Sequence, residues 1–279
     1  MISSRLGIVL TLLSGALTQP AAAQMIHVPK GTKVGYYTDA RPLSFDNESG
    51  RPSGYAVELC QRVAGAQIEW VPVTAESRRA ALREGKVKFL CGEAVTLSAQ
   101  KEVLFSIAIF QGGVGAMLRA DAPAALKQAL STPPSTSGQM LLKDQAHAVI
   151  AGAPSEKVVA DWFARLNLPS RIVRVPNEAA GAQAVLERKV AVFFAERSVL
   201  LDTWRRNASS GDLTVLARRF TVAPIALAFR RGDDDARVAV DRELSRFYAS
   251  KEFRSTYAKW FGQPDADAAA FFRLNMLPE

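Results

Sequence analysis

Residues 86–123, KVKFLCGEAVTLSAQKEVLFSIAIFQGGVGAMLRADAP, gather polar side chains able to hold a small charged molecule. A β-branched run closes on Cys91-Gly92, and Glu93, Thr96, Ser98, Gln100 and Lys101 follow directly. Together they offer a carboxylate, hydroxyls, an amide and an ammonium, enough to satisfy both poles of a small zwitterion. Backbone N–H groups at the carboxyl end of a strand lie where open α/β sheets hold their ligands. An ordinary strand-loop-helix connection accounts for the same residues equally well. Arg78 adds a second pointer. It stands in the first turn of a helix expected over Glu76–Glu84 and closed by Gly85. A cation there opposes the helix dipole, so the position suits a ligand contact as readily as a solvated side chain.

Other chemistries are absent from the sequence. It has no Gly-x-Ser-x-Gly, P-loop or dinucleotide fingerprint. Two histidines and two cysteines lack the spacing of metal ligands, so neither a metal nor a cofactor is expected and no residue is assigned as catalytic. The net charge of +8 is carried by scattered lysines and arginines without a nucleic-acid motif, so nucleic acid is not an expected partner.

The elements that must position these groups alternate in type. Lys33–Tyr37 reads as a strand, followed by a loop dense in Pro, Gly, Asn and Ser and a helix over Tyr55–Ala64. Strands follow at Ile68–Val73, Val87–Cys91 and Val103–Ile109, the last running through Gly112, Gly113 and Gly115 to Arg119. A helix over Ala122–Leu130 leads to Ser131–Gly138, STPPSTSG, expected to be exposed and mobile. Then strands His147–Ala151, Arg171–Val175 and Val190–Phe194 alternate with helices Ser155–Leu166, Glu178–Arg188 and Glu196–Arg206. That pattern predicts a second parallel sheet. Strand Ile225–Arg230 and two helices, Asp234–Tyr248 and Lys251–Phe261, close the chain.

Residues 1–23 carry Arg5, an apolar core over Leu6–Leu17 and Ala21-Ala22-Ala23, the physics of a cleaved signal peptide. The mature chain is expected to start at Gln24 and to be exported. An oxidising compartment leaves two readings of Cys60 and Cys91: a disulfide, or two small buried apolar residues.

The chain resembles the family 3 extracellular solute-binding proteins, which serve ABC transporters of polar amino acids. The resemblance rests on several motifs in order. Gly50-Arg51-Pro52-Ser53-Gly54-Tyr55 stands before the first helix. Gly85-Lys86-Val87, Cys91-Gly92, Thr96-Leu97-Ser98 and Val103-Leu104-Phe105-Ser106 follow in the first third. Val190 to Arg197, Ile225 to Asp233 and Tyr257-Ala258-Lys259-Trp260-Phe261-Gly262 match the last third. The resemblance implies an α/β, two-lobe periplasmic binding protein fold of type II. Each lobe would be a mostly parallel sheet flanked by helices, the two joined by two hinge segments. Residues 24–118 and 223–279 would form the first lobe and 119–222 the second.

The resemblance also implies a monomeric periplasmic protein that captures a small polar, amino-acid-like ligand for a permease in the inner membrane. An aromatic from the first loop, Tyr37 or Phe45, would stack on the ligand. Arg78 would reach an acidic side chain, and Glu196 would take the ammonium. Thr96 and Lys101 stand in for the family's threonine and carboxylate-binding arginine. Gly152-Ala153-Pro154-Ser155 replaces its Gly-Thr-Thr turn, with Ser155 restoring a hydroxyl. Glu93 adds a carboxylate that would repel an anionic ligand and favour a cationic one, unless Arg78 or Lys101 neutralises it. Two further readings share the fold: an accessory or sensor protein without a transport role, and a periplasmic cyclohexadienyl dehydratase with Glu156 as general acid.

Overall fold

The computed structural model describes residues 31–278 apart from 66, 132–135, 144 and 208. The expected signal peptide, the start at Gln24, residues 132–135 of the turn-rich stretch and the terminal Glu279 lie outside the described residues.

Ten of the strands form two sheets of five each. The first half of the chain runs β1 (Thr32–Tyr37), a small three-stranded sheet of β2 (Asp39–Ala40), β3 (Ser44–Asp46) and β4 (Pro52–Ser53), then α1 (Tyr55–Ala64) and β5 (Ile68–Val73). It continues through α2 (Arg78–Arg83), β6 (Phe89–Ala94), α3 (Leu97–Gln100) and β7 (Val103–Gly112). Next come β8 (Val114–Arg119), α4 (Ala124–Ser131), α5 (Thr136–Lys143), β9 (Ala146–Ile150), α6 (Pro154–Arg165) and β10 (Arg171–Val175). After these stand α7 (Glu178–Leu186), β11 (Val192–Glu196), α8 (Arg197–Arg206) and β12 (Leu213–Val215). The chain closes with β13 (Ala223–Arg230), α9 (Asp234–Ala249), α10 (Lys251–Phe261) and α11 (Ala266–Asn275).

The first sheet has the order β5-β1-β6-β13-β7 and the second β10-β9-β11-β8-β12. In the first, β1 is parallel to β5 and β6, while β13 is antiparallel to β6 and β7. In the second, β9 is parallel to β10 and β11, while β8 is antiparallel to β11 and β12. Both lobes therefore follow one plan, a parallel sheet with its antiparallel strand in fourth place. The carboxyl ends of β1 and β6 lie side by side, as do those of β9 and β11.

Each lobe has its own core, and Leu201 of α8 reaches from the second lobe into the first. Tyr55, Leu59 and Val63 turn one face of α1 into the first core, where Tyr55 meets Phe261 at 5.0 Å and Phe253 meets Phe272 at 4.5 Å between ring centroids. Phe163, Trp162 and Phe194 centre one cluster in the second lobe. Each fully buried aromatic of this size contributes about 1.5–3 kcal/mol. On the other side of that sheet a Cβ at Gly181 of α7 would fall 2.6 Å from the Phe193 ring, so this glycine lets the helix approach. Cys60 of α1 is bonded to Cys91 of β6, which settles the open reading of the cysteines.

Four expectations need correction. β8, placed in the first lobe by a boundary at 118, pairs within the second sheet. The first crossover therefore falls at Gly113, where φ is +132°, a backbone angle that suits glycine. Part of the stretch expected to be mobile is helical, since α5 begins at Thr136 and buries Leu142. The third strand of the second sheet is Val192–Glu196, shifted from Val190–Phe194, because it takes its register from β8. Finally, α11 was not expected at all. Its signal stands in the sequence: the Asp265 side chain caps it by accepting the Ala268 N–H at 2.8 Å.

Candidate functional site

The carboxyl edge of the first sheet carries a buried ionic cluster. Tyr37 ends β1, Glu93 lies near the end of β6, and Arg78 opens α2. Glu93 is only 4% exposed. The Tyr37 hydroxyl donates to its Oε2 at 2.6 Å, and Arg78 Nε to the same oxygen at 2.5 Å. Arg79 Nη2 donates to Oε1 at 3.2 Å, and its Nη1 to Glu102 at 2.7 Å. Burial pushes the Glu93 carboxyl up, but the bonds from Arg78, Tyr37 and Arg79 outweigh it and hold the group below the ordinary carboxylate range. The Tyr37 phenol is pushed well up by burial and by the bonded carboxylate. Glu93 is thus an ionised group with its donors supplied by the protein.

Thr96 and Lys101 stand outside that cluster. The Thr96 hydroxyl caps α3, accepting the Ala99 N–H at 3.1 Å, and lies 3.0 Å from Ser98 Oγ. Lys101 ends the same short helix and is exposed. Phe45, the second candidate for a stacking aromatic, goes into the core instead. It is 8% exposed, meets Trp260 edge-on at 6.1 Å and lies under the Arg41 guanidinium at 4.3 Å. Tyr37 is the one of the two left at the strand ends.

The second sheet presents the matching edge. Glu196 is the last residue of β11 and the N-cap residue of α8, though its side chain makes no capping hydrogen bond. Its Oε1 accepts the Gly113 N–H at 2.7 Å, which seats the carboxyl against the first crossover. Burial raises this carboxyl to about 7, against the opposing pull of the Gly113 and Arg197 N–H groups and of the Arg219 charge. Beyond β9, α6 starts at Pro154 with Ser155 in its first turn. Ser155 is 4% exposed, and its hydroxyl has no partner among the described residues. Glu156 pairs with Arg174 at 2.6 Å and accepts the Gly152 N–H at 3.2 Å. The Arg174 bond holds its carboxyl below the usual range, so it is ionised at neutral pH and poorly suited to act as a general acid.

Groups that the sequence reasoning did not single out complete the picture. Arg79 joins Arg78 on Glu93, and the Arg-Arg pair against the α2 dipole was its only signal. Between the lobes, Arg41 pairs with Asp202 of α8, and buried Arg197 pairs with Asp265 at 2.7 Å. These pairs bridge residues over sixty positions apart, which no local pattern announces. Among the described residues no cluster of His, Cys, Asp or Glu has the makings of a metal site, and no helix is long and apolar enough to cross a membrane.

The chain is similar to known proteins along most of its length. The L-glutamate/L-aspartate-binding protein of Pseudomonas aeruginosa is 24% identical over 243 residues, 83% of this chain and 76% of the relative. A substrate-binding protein of a polar amino acid ABC uptake transporter from Streptococcus thermophilus superposes with a TM-score of 0.72 at 14% identity, covering 88% of this chain and 90% of that one. An ancestral cationic amino acid solute-binding protein superposes with a TM-score of 0.69 at 23% identity, covering 83% of this chain and 95% of that one. These likenesses confirm the two-lobe α/β fold. The family model for bacterial extracellular solute-binding proteins, family 3, matches residues 32–263. The chain belongs to that family.

Proposed function

We propose that the protein is exported to the periplasm, captures an amino-acid-like solute between its lobes and presents it to an ABC permease. The observation that carries this reading is a pair of complementary chemistries at equivalent strand ends of the two sheets. The first sheet ends in the Tyr37–Arg78–Glu93 cluster; in the second, Glu196 ends β11 and the unpartnered, buried Ser155 hydroxyl stands in the first turn of α6, after the neighbouring strand β9. The free amino acid fits these groups by pole. Its ammonium goes to Glu196, while its carboxylate goes to Ser155 and the N–H groups opening α6, with Lys101 supplying charge from the rim. Thr96 orders the α3 turn that carries Lys101. The side chain then points toward Tyr37, Arg78 and Glu93. The names of the relatives support an amino acid as the ligand class and binding rather than catalysis, and the protein is expected to act as a monomer.

The test is calorimetry of the protein from Gln24 onward against a panel of amino acids and amines. At least one α-amino acid should bind and raise the melting temperature, a ligand at a hundred times its dissociation constant adding about 2.7 kcal/mol to stability. A panel without a single binder would overturn the reading in favour of an accessory or sensor role.

A further inference from the structure

We propose that Glu93 sets the charge class of the ligand. By occupying the Arg78–Arg79 pair from within the protein, it keeps the side-chain end of the cleft for an uncharged polar group and turns away a second carboxylate. The inference rests on the cleft reading above and makes its substrate class specific.

Adjacent arginines at the edge of a parallel sheet would ordinarily make a fork for an anion. Here the anion is built in. Glu93 accepts from Arg78 Nε at 2.5 Å, from Arg79 Nη2 at 3.2 Å and from the Tyr37 hydroxyl at 2.6 Å, and Arg79 spends its other Nη on Glu102. Two guanidinium charges thus meet two protein carboxylates. With Glu93 only 4% exposed, its charge is poorly screened by water. Arg78 and Arg79 neutralise Glu93, but by the same pairing a ligand carboxylate arriving beside Arg78 would find no unmatched cation to receive it, and a carboxylate taken out of water without a counter-charge is strongly disfavoured. A ligand ammonium gains little, because both Glu93 oxygens already accept donors. The groups left over are the Arg78 Nη atoms, which make no hydrogen bond among the described residues, and the Tyr37 ring. Donors beside an aromatic face suit an amide carbonyl or a hydroxyl.

Glutamine and glutamate are nearly the same shape and differ here in side-chain charge, so they serve as probes. Calorimetry at neutral pH should find the wild type binding L-glutamine at least about tenfold more tightly than L-glutamate, a difference of about 1.4 kcal/mol. In Glu93→Gln the arginines regain an unmatched charge, and the glutamine-to-glutamate ratio should fall by about tenfold or more. A wild type that prefers glutamate overturns the proposal without any variant. A folded Glu93→Gln protein with an unchanged ratio overturns it as well. If neither probe binds while another amino acid does, the proposal fails and the cleft reading stands. If no amino acid binds at all, the cleft reading itself fails.

Discussion

Arg41 and Asp202 form an ion pair between the two lobes, with Arg41 Nε 2.9 Å from Asp202 Oδ2. The Asp202 side chain is 7% exposed and also takes Arg206 Nε at 2.7 Å. Phe45 supports the Arg41 guanidinium from below. One of the two aromatics considered for stacking on a ligand thus braces a contact between lobes. A double-mutant cycle of Arg41→Ala and Asp202→Asn should give a coupling of about 1–2 kcal/mol, above the value for exposed pairs because Asp202 is buried. Small-angle scattering of ligand-free Arg41→Ala should show a larger radius of gyration than wild type. An unchanged radius would mean that the pair does not hold the lobes.

The Cys60–Cys91 bond spans 31 residues and ties α1 to β6, the strand that carries Glu93. Closing a loop of that length restricts the unfolded chain by about 3–4 kcal/mol. Reduction should therefore lower the melting temperature by several degrees, and alkylation of the unreduced, denatured protein should label neither cysteine.

Glu196 makes both stability and binding depend on pH. Its carboxyl titrates near 7 when folded, above its ordinary value of 4.5. The unfolded chain therefore binds fewer protons between those values, and this group's contribution to stability is lost as pH rises through about 7, by about 3 kcal/mol. A ligand ammonium needs the ionised form, so affinity should rise about tenfold from pH 6 to pH 8. Glu196→Gln should flatten both profiles. A pH-independent affinity in the wild type would remove Glu196 from the ammonium site.

His147 behaves in the opposite sense. It is fully buried on β9, 4.6 Å from the Phe163 ring centroid, with neither ring nitrogen hydrogen-bonded among the described residues, and burial lowers its titration to about 4. The unfolded chain binds the extra proton between about 6.5 and 4. Stability from this residue is complete above that window and drains as pH falls through it, by about 3 kcal/mol. His147→Phe should lessen the acid lability, as read from urea midpoints at pH 7 and pH 4.5.

The fold was legible where periodicity and motif order carry it. The strands from Lys33 and Ile68 emerge at nearly their expected bounds, because short apolar-rich runs set off by turn-forming segments leave a local imprint even where, as in β5, most of the strand is not buried. The candidate site was legible as a list of groups, with Glu93 and Arg78 among them, but not as a set of partnerships. That Glu93 binds Tyr37 rather than Lys101, or that Glu196 reaches back to Gly113, depends on strand register and on residues far apart in the chain. A single sequence does not encode such geometry locally. Even so, α11 could have been found from Asp265 and the apolar run after it.

The crossover at Gly113 and the second, which runs from β12 to β13, are not independent strings. Gly112 pairs with Ala223, the Val114 N–H reaches Thr221 Oγ1 at 3.0 Å, and the Phe220 N–H reaches the Val114 carbonyl at 2.7 Å. A Cβ on Gly113 would fall 2.0 Å from the Thr221 carbonyl oxygen, so the strands touch without intervening side chains. A joint of two bonded strands of this kind is expected to bend more readily about one axis than about the others. One pair of spectroscopic labels across the mouth would then record the whole opening motion, and a sensor made from this protein would need only a single readout.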